Sequence, residues 1–359
     1  VADINVEEFD VATRKYIAPG VVDNYFKGGP LMAYVKANRY KTFPGGTLIQ
    51  ENFLFQPMTG GSYKRGGKPF DTTRRRTKAA TQFQLKTYYV NITEFLEDLE
   101  IELVASEAAF DTVKTDFGNA ALTLSAILEI AMMQYGQDLS GSGGSDRSGE
   151  INGFSEALND GTVASWDGGL FPTYGGQLRS TVNGALTPAN TAIGANIAGP
   201  PTNRVLEYSY QSTVIGAEHP KLGVTTSLAM AYLNEQWMPL QRAGVDVVEP
   251  NIGYPGLKFK RATIVESQYM PGTLGVNDPN IGNYFTAAGE TFMWLNPGGE
   301  GDDAYFRVWF PRSKKFQFGF TGFKVTANGT QLSGQILVAC NLTVRAPRLM
   351  RILHGIRAA

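Results

Sequence analysis

Two histidines, one cysteine and a glycine-rich loop carrying a lysine are the parts of this chain whose residue types suggest chemistry. His219, in Glu218-His219-Pro220, reads as a loop residue, and His354 lies in a basic tail. Neither has a companion at the spacing of a nucleophilic triad, and two distant histidines with a single cysteine make a poor zinc ligand set. No metal or cofactor is expected. Cys340 falls in the apolar run Gln335-Ile336-Leu337-Val338-Ala339-Cys340, which predicts a small buried hydrophobe. One cysteine allows no internal disulfide. The loop from Gly61 to Gly67-Lys68 fails as a phosphate-binding loop. The glycine needed five positions before Gly67 is Ser62, and Pro69 stands where the Mg²⁺-binding hydroxyl belongs. There is no Gly-x-Ser-x-Gly elbow. Carboxylates are common, but no spacing marks a pair for acid–base work. These residues imply no catalytic centre.

Charge is distributed with more pattern than chemistry is. Lys64, Arg65, Lys68, Arg74, Arg75, Arg76 and Lys78 stand against a single Asp71. Then Glu94, Glu97, Asp98, Glu100, Glu102 and Glu107 follow with no Lys or Arg among them. From Ala304 onward there are nine Lys or Arg and no Asp or Glu, so within a net charge of −1 the first 303 residues carry −10. Blocks of opposite sign suit complementary surfaces on adjacent copies of one chain, fixing register and steering encounter. Two alternatives stand beside this: solvated faces worth little each, and a nucleic-acid-binding module, since Tyr63 and Phe70 lie between the cations of the first block and are able to stack on bases.

The elements that must carry these charges are legible in part. The chain has 359 residues, 43% hydrophobic and 18% charged, with 41 glycines, which favours a β-rich protein with a sizeable core. Residues 1–42 read as an arm with short helices after Pro19 and Pro30. Thr47–Met58 and Thr77–Val90 are extended runs flanking a polar tip, which predicts a β-hairpin with arms ~50 Å long. Such a ribbon is marginal alone and needs another surface to lie on. Residues 106–136 carry apolar side chains in steps of three and four, from Phe110 to Tyr135, and predict a helix. Its second half, with Leu122, Ile127, Ile130 and Met133, is apolar nearly all round and should be buried. A Gly/Ser-rich stretch follows, then a strand at Lys221–Thr225 feeding a capped helix at Ser227–Trp237. A hairpin turns at Asn328-Gly329, and an apolar strand runs over Gln335–Val344. No apolar run approaches the ~20 residues of a membrane span. The N-terminus lacks the regions of a signal peptide, so a soluble protein made in a cytoplasm is expected.

In this order the parts resemble the major capsid proteins of tailed bacteriophages, the HK97-fold family. Val90–Asp98, Ile151–Leu158, Lys221–Thr226 and Asn341–Arg348 are similar in flavour to phage capsid sequences. The resemblance implies an α+β HK97-like capsid fold with five parts. These are an N-terminal arm (1–42), an extended loop made as a long β-hairpin (43–87), a peripheral domain with β-strands and the spine helix (88–138), an apical domain (139–320), and a return to the peripheral domain (321–359). It implies a virion shell of hexamers and pentamers, assembled in a bacterial cytoplasm around double-stranded DNA read without sequence specificity. Scaffold, portal and decoration proteins are the implied partners, and a membrane is not one. Because the chain starts directly with the arm, a separate scaffold or earlier cleavage is expected. An encapsulin-like nanocompartment is the same-fold alternative. The family's loop lies over a neighbouring subunit, so the Lys64–Lys78 block is expected to meet the Glu94–Glu107 block of an adjacent copy. Some relatives join lysine to asparagine covalently. Lys64 or Lys68 with Asn341 would supply those groups, but residues 304–359 contain no carboxylate to assist.

Overall fold

The computed structural model describes residues 29–36, 40–62, 71–95, 106–140, 145–182, 185–188, 196–237, 247–248, 255–278, 283–285, 287–299, 303–325 and 330–357. In chain order, helix α1 (Pro30–Lys36) precedes four strands: β1 (Tyr40–Phe43), β2 (Ile49–Leu54), β3 (Lys78–Phe83) and β4 (Lys86–Phe95). Helix α2 (Ser106–Met133) follows, then β5 (Asn196–Gly199), α3 (Asn203–Ser212), β6 (Leu222–Thr225) and α4 (Ser227–Trp237). Further strands of the two main sheets are β7 (Val247–Val248), β8 (Pro255–Phe259), β9 (Ala262–Glu266), β10 (Glu290–Leu295), β11 (Phe306–Pro311), β12 (Gln317–Phe320), β13 (Lys324–Val325), β14 (Gln331–Val344) and β15 (Arg351–Ile356).

Two sheets organise the chain. The first has the order β1-β11-β14-β12, with β4 and β13 also paired to the long strand β14. Helix α2, ~42 Å long at 1.5 Å per residue, lies against it. The helix buries Val113, Phe117, Ala121, Leu124 and Leu128, while Tyr88 and Ile92 of β4 and Leu332, Ile336 and Val338 of β14 join the same core. The pattern is the one that steps of three and four require, one stripe facing one sheet. Ile127, Ile130 and Met133 are buried as expected, but Leu122 is 57% exposed, so the all-round burial of the second half stops short of it. By length and composition Val113–Met133 is apolar enough to cross a membrane, contrary to the sequence expectation, yet most of it is packed inside this core.

The second sheet has the order β5-β15-β10-β6-β9-β8-β7. Helices α3 and α4 cover it, with Leu206, Tyr210, Met230 and Leu233 meeting Ile264, Phe292, Trp294 and Leu353. Trp294 is fully buried, and its indole N–H donates to Ser209 Oγ at 2.9 Å. Helix α4 starts as expected, with the Ala229 amide donating to Thr226 Oγ1 at 3.2 Å.

Topology corrects the reading of the C-terminal segment. Strands β11 and β12 belong to the first sheet with β14, although they precede residue 321. The last strand, β15, crosses to the second sheet between β10 and β5. The supposed basic tail is therefore a buried strand, in which Arg351 and His354 are nearly inaccessible and every residue is buried. Desolvation holds the His354 imidazole below its ordinary value. The tail thus offers no cationic surface for phosphates at Arg351 or His354.

Candidate assembly surface

Strands β2 and β3 form a two-stranded antiparallel ribbon that pairs Ile49 with Phe83 and Leu54 with Lys78. The paired part is six residues long, ~20 Å, rather than the ~50 Å read from the sequence. The expected second arm, Thr77–Val90, breaks at Gln84-Leu85, and its continuation β4 pairs with β14 instead. Beyond Leu54 the two limbs stay linked. The Phe55 amide donates to Thr77 O at 3.1 Å, Gln56 Nε2 to Arg76 O at 2.5 Å, and Thr59 Oγ1 to Thr73 O at 2.7 Å.

Alternation along the ribbon decides what holds its base. Ile49, Glu51 and Phe53 share one face with Ala79, Thr81 and Phe83. That face is turned to the body, so Glu51 is driven inward with its apolar neighbours and is 6% exposed. Its carboxylate is met by a matched set from the first sheet. Arg307 approaches with Nε 3.0 Å from Oε1 and Nη2 3.1 Å from Oε2. Arg345 Nε lies 3.3 Å from Oε2, while Trp309 Nε1 and Thr343 Oγ1 each donate to Oε1 at 3.2 Å. A buried carboxylate is tolerable only when so fully paired. Sequence reasoning missed Glu51 altogether. The available signal was one acidic residue at an otherwise apolar alternate position.

A second contact at the base involves Gly175, at φ +54° in the turn of a small hairpin, Thr173–Tyr174 with Gln177–Leu178. Its carbonyl accepts from the Gln82 amide at 2.9 Å. A Cβ at this position would lie 2.6 Å from Thr81 Cβ and 2.8 Å from Phe83 Cζ. Gly175→Ala therefore combines a left-handed backbone penalty with overpacking and should destabilise the subunit by about 2–4 kcal/mol. A lowered urea midpoint with an unchanged slope checks it; a shift equivalent to under half a kcal/mol would show that the ribbon base gives way freely.

Along the distal half of the ribbon the support is partial: Phe55 still packs against the core of the body. Leu54 is 70% exposed and Met58 77%, and Asp71 through Arg76 are all exposed. Of the predicted basic block, Arg74, Arg75, Arg76 and Lys78 are on the surface, and among the described residues none forms an ion pair. Lys64, Arg65 and Lys68 lie outside the described residues. Between ribbon and body runs an open cleft of about 1460 Å³, lined by Asn52, Leu54, Arg76 and Lys78 on one side and Glu218, Asp303 and Arg345 on the other.

The acidic block divides differently. Glu94 is buried, 8% exposed, because the pleat of β4 turns Ile92 and Glu94 inward and Thr93 and Phe95 outward. It is withdrawn as a surface partner for the basic block. Glu97, Asp98, Glu100 and Glu102 lie outside the described residues, as does the side chain of Glu107.

The other groups with chemical potential are spent on structure. Cys340 is buried and its thiol pushed up to about 12 by desolvation. Asn341 is fully buried: its Nδ2 donates to Gln84 O at 2.6 Å and to Asn152 Oδ1 at 2.9 Å, and its Oδ1 accepts from the Asn152 amide at 2.9 Å. That leaves it closed to a lysine from elsewhere. Glu156 accepts from Gln137, Asn152 and the Gly136 amide, and burial raises its carboxyl above the usual range. Among the described residues no three His, Cys, Asp or Glu gather as a metal site.

No family model and no curated protein matches the chain. Solved structures do. The cyanophage A-1(L) capsid superposes with a TM-score of 0.57 at 12% identity, over 91% of this chain and 92% of that one. A chain of the Gordonia phage Cozz structure gives 0.50 at 11% identity, over 92% and 87%. An encapsulin complex from Synechococcus elongatus gives 0.49 at 12% identity, over 90% and 86%. The two sheets, the long helix packed on the first of them and the projecting ribbon thus form the HK97-like capsid fold, across most of the chain.

Proposed function

We propose that this chain is a major capsid protein: a structural subunit, not an enzyme, whose copies close into an icosahedral shell of hexamers and pentamers. The observation that carries this reading is the ribbon, clamped at its base by Glu51 while Leu54, Met58 and Asp71 through Arg76 stay exposed. Two exposed apolar side chains and four cations that form no ion pair among the described residues, on a projecting two-stranded element, are a poor arrangement for an isolated molecule. Laid on a neighbouring copy they become an interface. The acidic residues offered to the cations are Glu97, Asp98, Glu100, Glu102 and Glu107 of that neighbour, where like-signed charge has no counterion of its own in sequence.

The contents of the shell are the double-stranded DNA of a tailed phage, held without sequence reading, in a virion assembled in the bacterial cytoplasm. Scaffold, portal and decoration proteins are the partners this role entails. Electron microscopy of the purified protein is the test. Uniform closed shells support the reading, and monodisperse monomers at every salt and concentration overturn it. A protein cargo instead of DNA inside the shells assigns the chain to a nanocompartment.

A further inference from the structure

Helix α2 carries one carboxylate deep in its apolar half. Glu129 is fully buried, and three segments distant in sequence converge on it. From the Ser267–Met270 turn, Ser267 Oγ lies 3.0 Å from Oε1 and donates to it. From the other side Gly29 presses so close that a Cβ there would lie 1.3 Å from Oε2. Only glycine leaves the carboxyl room. Gly29 leads into α1, whose Leu31, Met32 and Val35 are all buried in the core that α2 helps to form. Oε2 itself is buried, with no hydrogen-bond partner among the described residues.

We propose that Glu129 is a protonation-controlled latch for the Gly29–Lys36 segment, holding it on α2 when neutral and loosening it when ionised. The geometry sets the direction. A neutral carboxyl sits in an apolar site at modest cost, whereas an ionised one with an unpartnered oxygen needs water or a cation. No described Lys, Arg or His contributes to its titration. The facing groups are the Ser267 hydroxyl, the Leu31 amide and the phenol of Tyr269, which Glu129 helps to hold above its ordinary value. Ser125, one turn earlier on α2, is also neutral. Of the elements around the carboxyl, α1 is the one able to yield. It has seven residues, too few to be stable alone, whereas α2 packs into the core from Val113 to Met133.

Burial pushes the Glu129 carboxyl up from 4.5 to about 7, with Ser267 and Leu31 opposing. A raised value in the folded state means that the folded protein holds the proton longer. The contribution to docking is complete below about 4.5 and is lost as pH rises through about 7. The difference corresponds to a weakening on the order of 100-fold. This inference concerns the subunit itself and stands whether or not the shell reading does.

Hydrogen exchange of the full chain between pH 5.5 and 8.5, corrected for the intrinsic rate, tests it. Protection of the Leu31–Lys36 amides should fall about 30-fold across that range while β14 amides keep theirs. Glu129→Gln, which removes the titration and keeps the shape, should abolish the dependence. Ser267→Ala removes a donor that favours the ionised form, so it should move the midpoint to higher pH. A flat wild-type profile, an equal fall in β14, or a Glu129→Gln profile identical to wild type would each overturn the latch. Should Glu129→Gln not fold, an unmoved midpoint in Ser267→Ala overturns it alone.

Discussion

Replacing Glu51 with alanine should lower the unfolding free energy of the unassembled subunit by about 3–5 kcal/mol. The reason is what remains after the carboxylate is gone. Arg307 is nearly inaccessible, so its guanidinium is left as a buried charge with its counter-charge removed. The Trp309 indole and the Thr343 hydroxyl also lose an acceptor. Glu51→Gln keeps an oxygen and the shape, and should cost less than the alanine variant. Arg345→Ala should cost about 1 kcal/mol or less, because the Arg345 side chain is 34% exposed and water replaces its partner. Denaturant midpoints for the three variants check the order. If Glu51→Ala loses under 1 kcal/mol, the clamp does not fix the ribbon. A correct order accompanied by misdirected ribbons would appear as folded subunits that assemble poorly.

Reversing Arg74, Arg75 and Arg76 to glutamate together should abolish shell formation and leave the subunit folded. All three side chains are exposed and make no ion pair among the described residues, so stability should change by no more than about half a kcal/mol each. Their replacement shifts the charge of the distal ribbon by −6, enough to turn attraction toward an acidic neighbour into repulsion. Particle counts by electron microscopy and the thermal midpoint of the free subunit are the two measurements. Normal shells at unchanged yield would refute a docking role for the cations. Loss of shells together with a fallen midpoint would instead place these arginines in the fold. Partial assembly restored by high salt is the signature expected of screened repulsion.

Much of the architecture was legible because it is written at short range. The stripe from Val113 to Leu128 names a helix and its buried face at once, and Leu222–Thr225 with Ser227–Trp237 repeats the lesson for a strand and a capped helix. The hairpin at Lys78 was recognised, but its length was not. Thr77–Val90 is uniformly β-prone, and only the competition of β14 for Lys86–Phe95 ends the ribbon at Phe83. Exposure of Leu122 has the same origin: helical spacing says which residues share a face, not how far around the helix the neighbours reach.

The charges were read least well, for one physical reason. A strand's pleat assigns alternate residues to opposite faces, and whether a face is buried depends on partners that lie far off in sequence. So Glu94, counted among surface acids, turned inward with Ile92. The apparent basic tail became a central strand because β10 and β5 leave a place between them. Glu51 acquired two arginines from positions more than 250 residues away. Composition, periodicity and turn residues determined most of the elements, and the order of those elements carried the resemblance that implied the fold. Only the tertiary structure decided which ionisable groups meet water and which meet one another, because that choice is made by long-range packing rather than by neighbours in the chain.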